Sequence, residues 1–121
     1  NNRTFDIIFI DAAKGQYKRF FELVQPLLKK DGIIICDNIL FRGYVADESK
    51  VNNKRLQKLA KKIRDFNEWL TSNEHYHTSI IPIGDGVSIS IKKNNIWFLE
   101  RRTHISVSVS FLYEFTLLRS V

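Results

Sequence analysis

An α/β fold is predicted by three features of the chain. "FDIIFID" and "GIIICDN" are apolar almost throughout, which is how strands covered on both faces read. Between them, "GQYKRFFELVQPLLKK" carries Tyr17, Phe20, Phe21, Val24, Leu27 and Leu28 at helical spacing. Further on, "YHTSIIPI" and "GVSISIKK" flank Gly84, Asp85 and Gly86, a composition suited to a hairpin reversal. The expected architecture is two parallel strands joined by a crossover helix, then an antiparallel hairpin.

Taken in order, the first strand is expected over about residues 6–10 and the first helix over 16–29. Pro26 should kink or shorten that helix, because it lacks a backbone N–H and clashes with the preceding turn. "KDGI" reads as a stop, with Gly32 supplying a tight reversal into a second strand over residues 33–36. A loop, "ILFRGYVADESKVNN", leads to a second helix over 54–72, with Leu56, Leu59, Ile63, Phe66 and Leu70 as its apolar stripe. After Lys93 the character changes. Ile105, Val107, Val109 and Phe111 alternate with Ser106, Ser108 and Ser110, the pattern of an amphipathic strand. The domain reading is a folded unit over residues 1–93 and an unassigned tail over 94–121, a possible non-native extension.

The chain has 121 residues, 44% hydrophobic and 26% charged, which bounds it to one domain at most. No apolar run approaches the ~18 residues of a membrane span, and no signal-peptide pattern is present. The single cysteine, Cys36, cannot form an intramolecular disulfide, so a cytoplasmic location is expected. Inside "GIIICDN" its simplest reading is a small apolar strand residue. The start at Asn1, directly ahead of "FDIIFID", suggests a fragment. Positive charge is concentrated between Arg42 and Arg64, where eight basic residues face Asp47 and Glu48, giving +6, equal to the net charge of the chain. Such a patch can meet a polyanion, though a solvated helix face is the plainer reading.

The candidate chemistry lies where the strands end. Asp11 closes the first, and Asp37 with Asn38 closes the second. Carboxyl ends of neighbouring parallel strands share one sheet edge about 4.8 Å apart. Two carboxylates and an amide oxygen can therefore converge there, a hard-oxygen set suited to Mg²⁺ or Ca²⁺ rather than zinc. The competing reading is structural, since an aspartate after a strand often caps a helix or holds a turn. No G-x-x-x-x-G-K-[ST] or G-x-G-x-x-G motif is present, so the phosphate-cradling loops of ATPases and dinucleotide enzymes are excluded. His75, His77 and His104 lack partners at metal-ligand spacing and read as ordinary surface or strand residues. Lys14, three residues past Asp11, reads by itself as a solvated lysine opening a helix.

"FDIIFIDAAKGQY", "GIIICDNILFRG", "IRDFNEWL" and "IIPIGDGVSIS" together resemble the C-terminal half of the cation-dependent O-methyltransferases. These S-adenosylmethionine-dependent enzymes include the catechol and caffeoyl-CoA O-methyltransferases and a bacterial branch with tRNA 5-hydroxyuridine methyltransferases, which the chain resembles most. The likeness runs from about residue 3 to residue 93. It implies a Rossmann-like class I methyltransferase sheet, with Asp11, Asp37 and Asn38 as ligands of Mg²⁺ or another divalent cation. It further implies Asp11 and Ala12 at the wall of the donor site, Lys14 as general base and Arg42 in contact with substrate. The methyl acceptor would be a hydroxylated small molecule of catechol type, or tRNA, and the complete enzyme a homodimer away from membranes.

By the same resemblance, the elements that hold the donor lie upstream of "FDIIFID", so the chain alone is expected to be inactive. Two other readings stand beside this one: a non-catalytic nucleic-acid-binding module using residues 42–64, and an inert remnant of a broken reading frame. The apolar strands also carry an expectation about association. Both helices should cover one sheet face, leaving the other face and a strand edge to the tail or to self-association.

Overall fold

The computed structural model describes residues 3–13, 15–45, 52–93, 109–112 and 115–118. The chain order is β1 (Phe5–Ile10), α1 (Tyr17–Val24), β2 (Leu28–Asp37), α2 (Lys54–Thr71), β3 (Tyr76–Ile81), β4 (Val87–Lys92), β5 (Val109–Leu112) and β6 (Phe115–Leu118). The strands form one sheet in the order β3-β4-β2-β1-β6-β5. β1 and β2 are parallel, and every other pairing is antiparallel. The α/β reading and the hairpin around Gly84–Gly86 are therefore what the molecule shows.

The first helix is shorter than its periodicity predicts. Its α-helical turns stop at Val24, and Pro26 lies in a 3-10 turn over Gln25–Leu27. Leu28 already has extended dihedrals and pairs with Phe5. The next paired residues are Ile7 and Ile33, so the ladder is irregular between them. Asp31, at φ 59°, makes the left-handed turn there. Gly32 is needed for a different reason than reversal: a Cβ at this position would lie 2.7 Å from the Leu28 side chain and 2.8 Å from the Lys29 carbonyl. Lys29 reaches back to Asp6, 3.1 Å away, and ties this irregular start to β1. α2 matches its expected span to within a residue and is capped by Asn53, whose side chain accepts from the Arg55 N–H at 2.8 Å.

Both helices pack on one face of the sheet. Ile8, Ile10, Ile34 and Cys36 point to that side and are fully buried with Tyr17, Phe21, Val24, Ile63 and Leu70. An aromatic cluster ties the layers together. Phe21 meets Trp69 and Tyr76 edge-on at 5.4 and 5.1 Å, while Tyr17 stacks on Phe66 at 5.5 Å. On the opposite face Ile7, Phe9, Ile33, Ile35, Ile89 and Ile91 are only partly buried.

β4 sets its faces against intuition. Ser88 and Ser90 are fully buried under the helices, and Ile89 and Ile91 look the other way. The Ser90 hydroxyl is satisfied by Thr78 at 2.9 Å. The isoleucines remain as a partly uncovered apolar surface.

The tail contributes to the sheet, and the described end of its alternating run forms a strand, β5. The strand beside β1 is β6, with Ile10 opposite Phe115 and Ile7 opposite Leu118. β5, which contains the end of the alternating run, lies outside β6. Residues 105–108 of that run fall outside the described residues, as does His104. Among the described residues, no helix is long and apolar enough to cross a membrane.

Candidate cation and acceptor site

The parallel register places the acidic residues together. Ile10 pairs with Cys36, so Asp11 and Asp37, each the next residue in its chain, sit side by side at the carboxyl edge of the sheet. Asp11 is exposed and Asp37 half-buried. Tyr17, the first residue of α1, reaches the second of these positions. Its hydroxyl donates to the Asp37 carbonyl at 2.6 Å. Burial pushes the Tyr17 phenol well above the usual tyrosine range, and the negative charges of Asp11 and Asp37 add to the shift.

The turn after Asp37 is held from several directions. Asn38 is left-handed at φ 60°, a conformation asparagine tolerates, and its N–H donates to Asp37 Oδ1 at 2.7 Å. The Ile39 and Leu40 N–H groups donate to the carbonyls of Gly86 and Asp85 at 3.1 and 2.8 Å. From the helix side, Asn67 Nδ2 donates to the Ile39 carbonyl at 2.8 Å. Arg42 follows on an exposed 3-10 turn with φ 53°. Ala12 is buried beside Asp11. Lys14 lies outside the described residues.

The close approach of two loops makes Gly86 indispensable. Its φ is +87°, and a Cβ there would run into the Leu40 side chain. Gly86→Ala is expected to destabilise the fold by about 2–4 kcal/mol, combining backbone strain with overpacking. Urea unfolding reads the loss directly, and an unchanged midpoint would show that the loops separate freely.

Cys36 lies one residue before Asp37 and is fully buried. Burial pushes its thiol up to about 12. The thiol is accordingly protonated at neutral pH and acts as an apolar core group.

Beyond the sheet edge lie two grooves on the surface of α2. One, of about 300 Å³, is lined by residues including Gly15, Tyr17, Lys62, Phe66 and Trp69. The other, of about 660 Å³, is lined by Lys54, Arg55, Lys58, Leu59 and Lys62. Lys62 belongs to both, and a Cβ on Gly15 would lie 3.2 Å from its Cδ. The second groove gathers much of the basic segment. Neither has Asp11, Asp37 or Asn38 among its described lining residues.

Sequence reasoning missed the Tyr17 hydroxyl and Asn67 as partners of the Asp37 turn. For Asn67 a signal exists: it stands four residues after Ile63 and three before Leu70, a polar residue inside the apolar stripe of α2.

Open α/β sheets take their ligands at the carboxyl edge of the parallel strands, the edge where Asp11 and Asp37 sit. The model of the O-methyltransferase family matches residues 1–93, and the chain belongs to that family. A Populus kitakamiensis caffeoyl-CoA O-methyltransferase is 40% identical over 86 residues, covering 70% of this chain and 37% of the relative. A Staphylococcus aureus structure assigned to caffeoyl-CoA O-methyltransferase superposes with a TM-score of 0.71 at 46% identity, covering 75% of this chain and 44% of that one. The SAH-bound methyltransferase PaMTH1 of Podospora anserina gives a TM-score of 0.65 at 27% identity, covering 75% and 42%. The chain thus spans about two fifths of the length of these relatives.

Proposed function

We propose that this chain carries the cation- and acceptor-binding part of an S-adenosylmethionine-dependent O-methyltransferase. The observation that carries the reading is the parallel register that sets Asp11 beside Asp37, with Asn38 following. Two carboxylates and an amide oxygen match the preferences of Mg²⁺, and these three residues would hold it. Asp37 Oδ1 accepts the Asn38 N–H, which fixes the carboxylate and leaves Oδ2 for the ion. When bound, the cation supplies charge neutralisation for an ionising acceptor hydroxyl. The donor supplies an electrophilic methyl on sulfur; its use by this chain is supported by family membership and by the SAH-bound relative.

The residues of the chain do the rest. Lys14, three residues after Asp11 in the sequence, is the general base that would take the proton of the acceptor hydroxyl, the role the family resemblance gives it. Asp11 and Ala12 border the donor site. Arg42, exposed on its turn, contacts the acceptor. Alignment of the acceptor oxygen with the methyl carbon accounts for much of the rate. The acceptor is a hydroxylated small molecule of catechol type, in keeping with the caffeoyl-CoA O-methyltransferases among the relatives.

In the complete protein, EDTA should lower methyl transfer to a catechol by at least about a hundredfold, with recovery on adding Mg²⁺. Transfer indifferent to the chelator would contradict the reading. The 121-residue chain alone, at about two fifths of its relatives' length, is proposed to lack turnover and to bind S-adenosylmethionine weakly. Tight calorimetric binding would overturn that part.

A second reading has one observation in its favour, the groove lined by Lys54, Arg55, Lys58 and Lys62. It suits a polyanionic acceptor such as the 5-hydroxyuridine stem-loop of tRNA, or a purely RNA-binding role. Binding of an RNA stem-loop that weakens steeply with salt would support it.

A further inference from the structure

We propose that Tyr17 and Asn67 are positioning residues that hold the Asp37–Leu40 turn from α1 and α2 and so preform the cation site. The inference rests on the proposed cation site and goes beyond it by naming what holds the ligands.

The turn carries two of the three proposed ligands, Asp37 and Asn38, and its conformation is not one the chain adopts for free. Asn38 is left-handed, and the backbone leaves the sheet immediately after Asp37. Three attachments fix it. The Tyr17 hydroxyl holds the Asp37 carbonyl at 2.6 Å, and Asn67 Nδ2 holds the Ile39 carbonyl at 2.8 Å. The 83–86 turn binds the Ile39 and Leu40 N–H groups. The first two attachments come from α1 and α2, across the core, and both donors are rooted in it. Tyr17 is 1% exposed and stacked on Phe66, and Asn67 is 8% exposed one residue further along α2.

Asn67 is hard to account for as a core residue. Its helix position belongs to the apolar stripe between Ile63 and Leu70, where leucine would pack without a polar atom. Its Oδ1 is buried without a hydrogen-bond partner among the described residues, a burial that costs stability. The side chain is therefore better explained by what its Nδ2 does for Ile39 than by packing. Groups one step behind the ligands commonly change metal affinity by about 10–100-fold when removed.

The test uses the whole 121-residue chain and Mn²⁺ alone as the probe, read by electron paramagnetic resonance. Tyr17→Phe keeps the stacked ring and removes only the hydroxyl. Asn67→Leu removes both the working donor and the orphaned acceptor, so its folding cost should be small. Each variant is expected to bind Mn²⁺ about tenfold more weakly. Each should also show faster amide hydrogen exchange at Ile39 and Leu40 without metal, while β3 and β4 amides keep wild-type rates. Tyr76→Phe, a buried tyrosine away from the turn, should change neither readout.

Wild-type affinity and unchanged exchange in both variants would overturn the positioning role while leaving the cation site standing. A wild-type chain that binds no Mn²⁺ would overturn the cation site and, with it, the positioning role. A uniform rise in exchange across the sheet would show a merely structural role and count against the proposal.

Discussion

Asp37→Ala in the complete protein is expected to lower cation-dependent methyl transfer by at least about a hundredfold, with the fold retained. The substitution removes one of the two carboxylates that the β1–β2 register brings together and leaves Asp11 and Asn38, too little charge to hold a strongly hydrated divalent ion. It also frees the Asn38 N–H from Asp37 Oδ1. The cost to folding should be small. Asp37 is only half-buried, and the carbonyl that receives the Tyr17 hydroxyl belongs to the backbone and survives. Turnover at saturating Mg²⁺ together with a thermal melt separates the two effects. Wild-type turnover would exclude Asp37 from the site, and a lost melt would mean the residue supports the fold instead.

Phe21→Ala is expected to cost about 3–5 kcal/mol, a large share of the roughly 5–15 kcal/mol by which domains are stable. Phe21 is completely buried between the sheet and α2. Its ring contacts Trp69 at 5.4 Å, Tyr76 at 5.1 Å and Phe66 at 6.4 Å, each edge-on. Those partners are anchored on α2 and β3 and cannot all collapse into the space a phenyl ring leaves. Short of complete unfolding, the loss will appear as a lower urea midpoint. A change under about 1 kcal/mol would show that the aromatic cluster repacks and does not hold α1 in place.

Much of the fold can be read in the sequence because periodicity and chemistry agree there. The parallel pair, the span of α2 and the Gly84–Gly86 hairpin all follow from local patterns. Three features do not. α1 gives way at Pro26, and β2 begins at Leu28, because a proline cannot donate to the preceding turn while Leu28 finds a pairing partner in Phe5. Gly32 looks like a reversal glycine, yet its role is to let the Leu28 side chain and Lys29 carbonyl approach. β4 places its serines inward, since alternation reveals two faces but not which one the helices cover.

The site divides in the same way. Asp11, Asp37 and Asn38 stand out because carboxylates and an amide at the ends of apolar strands are conspicuous, and a parallel pairing suffices to bring their positions together. The supports do not stand out. Tyr17 reads as one more apolar-stripe residue, and only the three-dimensional path of α1 brings its hydroxyl to the Asp37 carbonyl. Asn67 breaks the stripe of α2, but the sequence does not indicate that its partner is Ile39, 28 residues earlier.

Asp11, Asp37 and Asn38 are proposed to form a divalent-cation site on this chain. Titration of the 121-residue chain with Mn²⁺, followed by electron paramagnetic resonance, tests it most directly. One saturable site in the wild type, lost in both Asp11→Asn and Asp37→Asn, is the predicted result. No saturable binding, or a site that persists in both variants, would contradict the account.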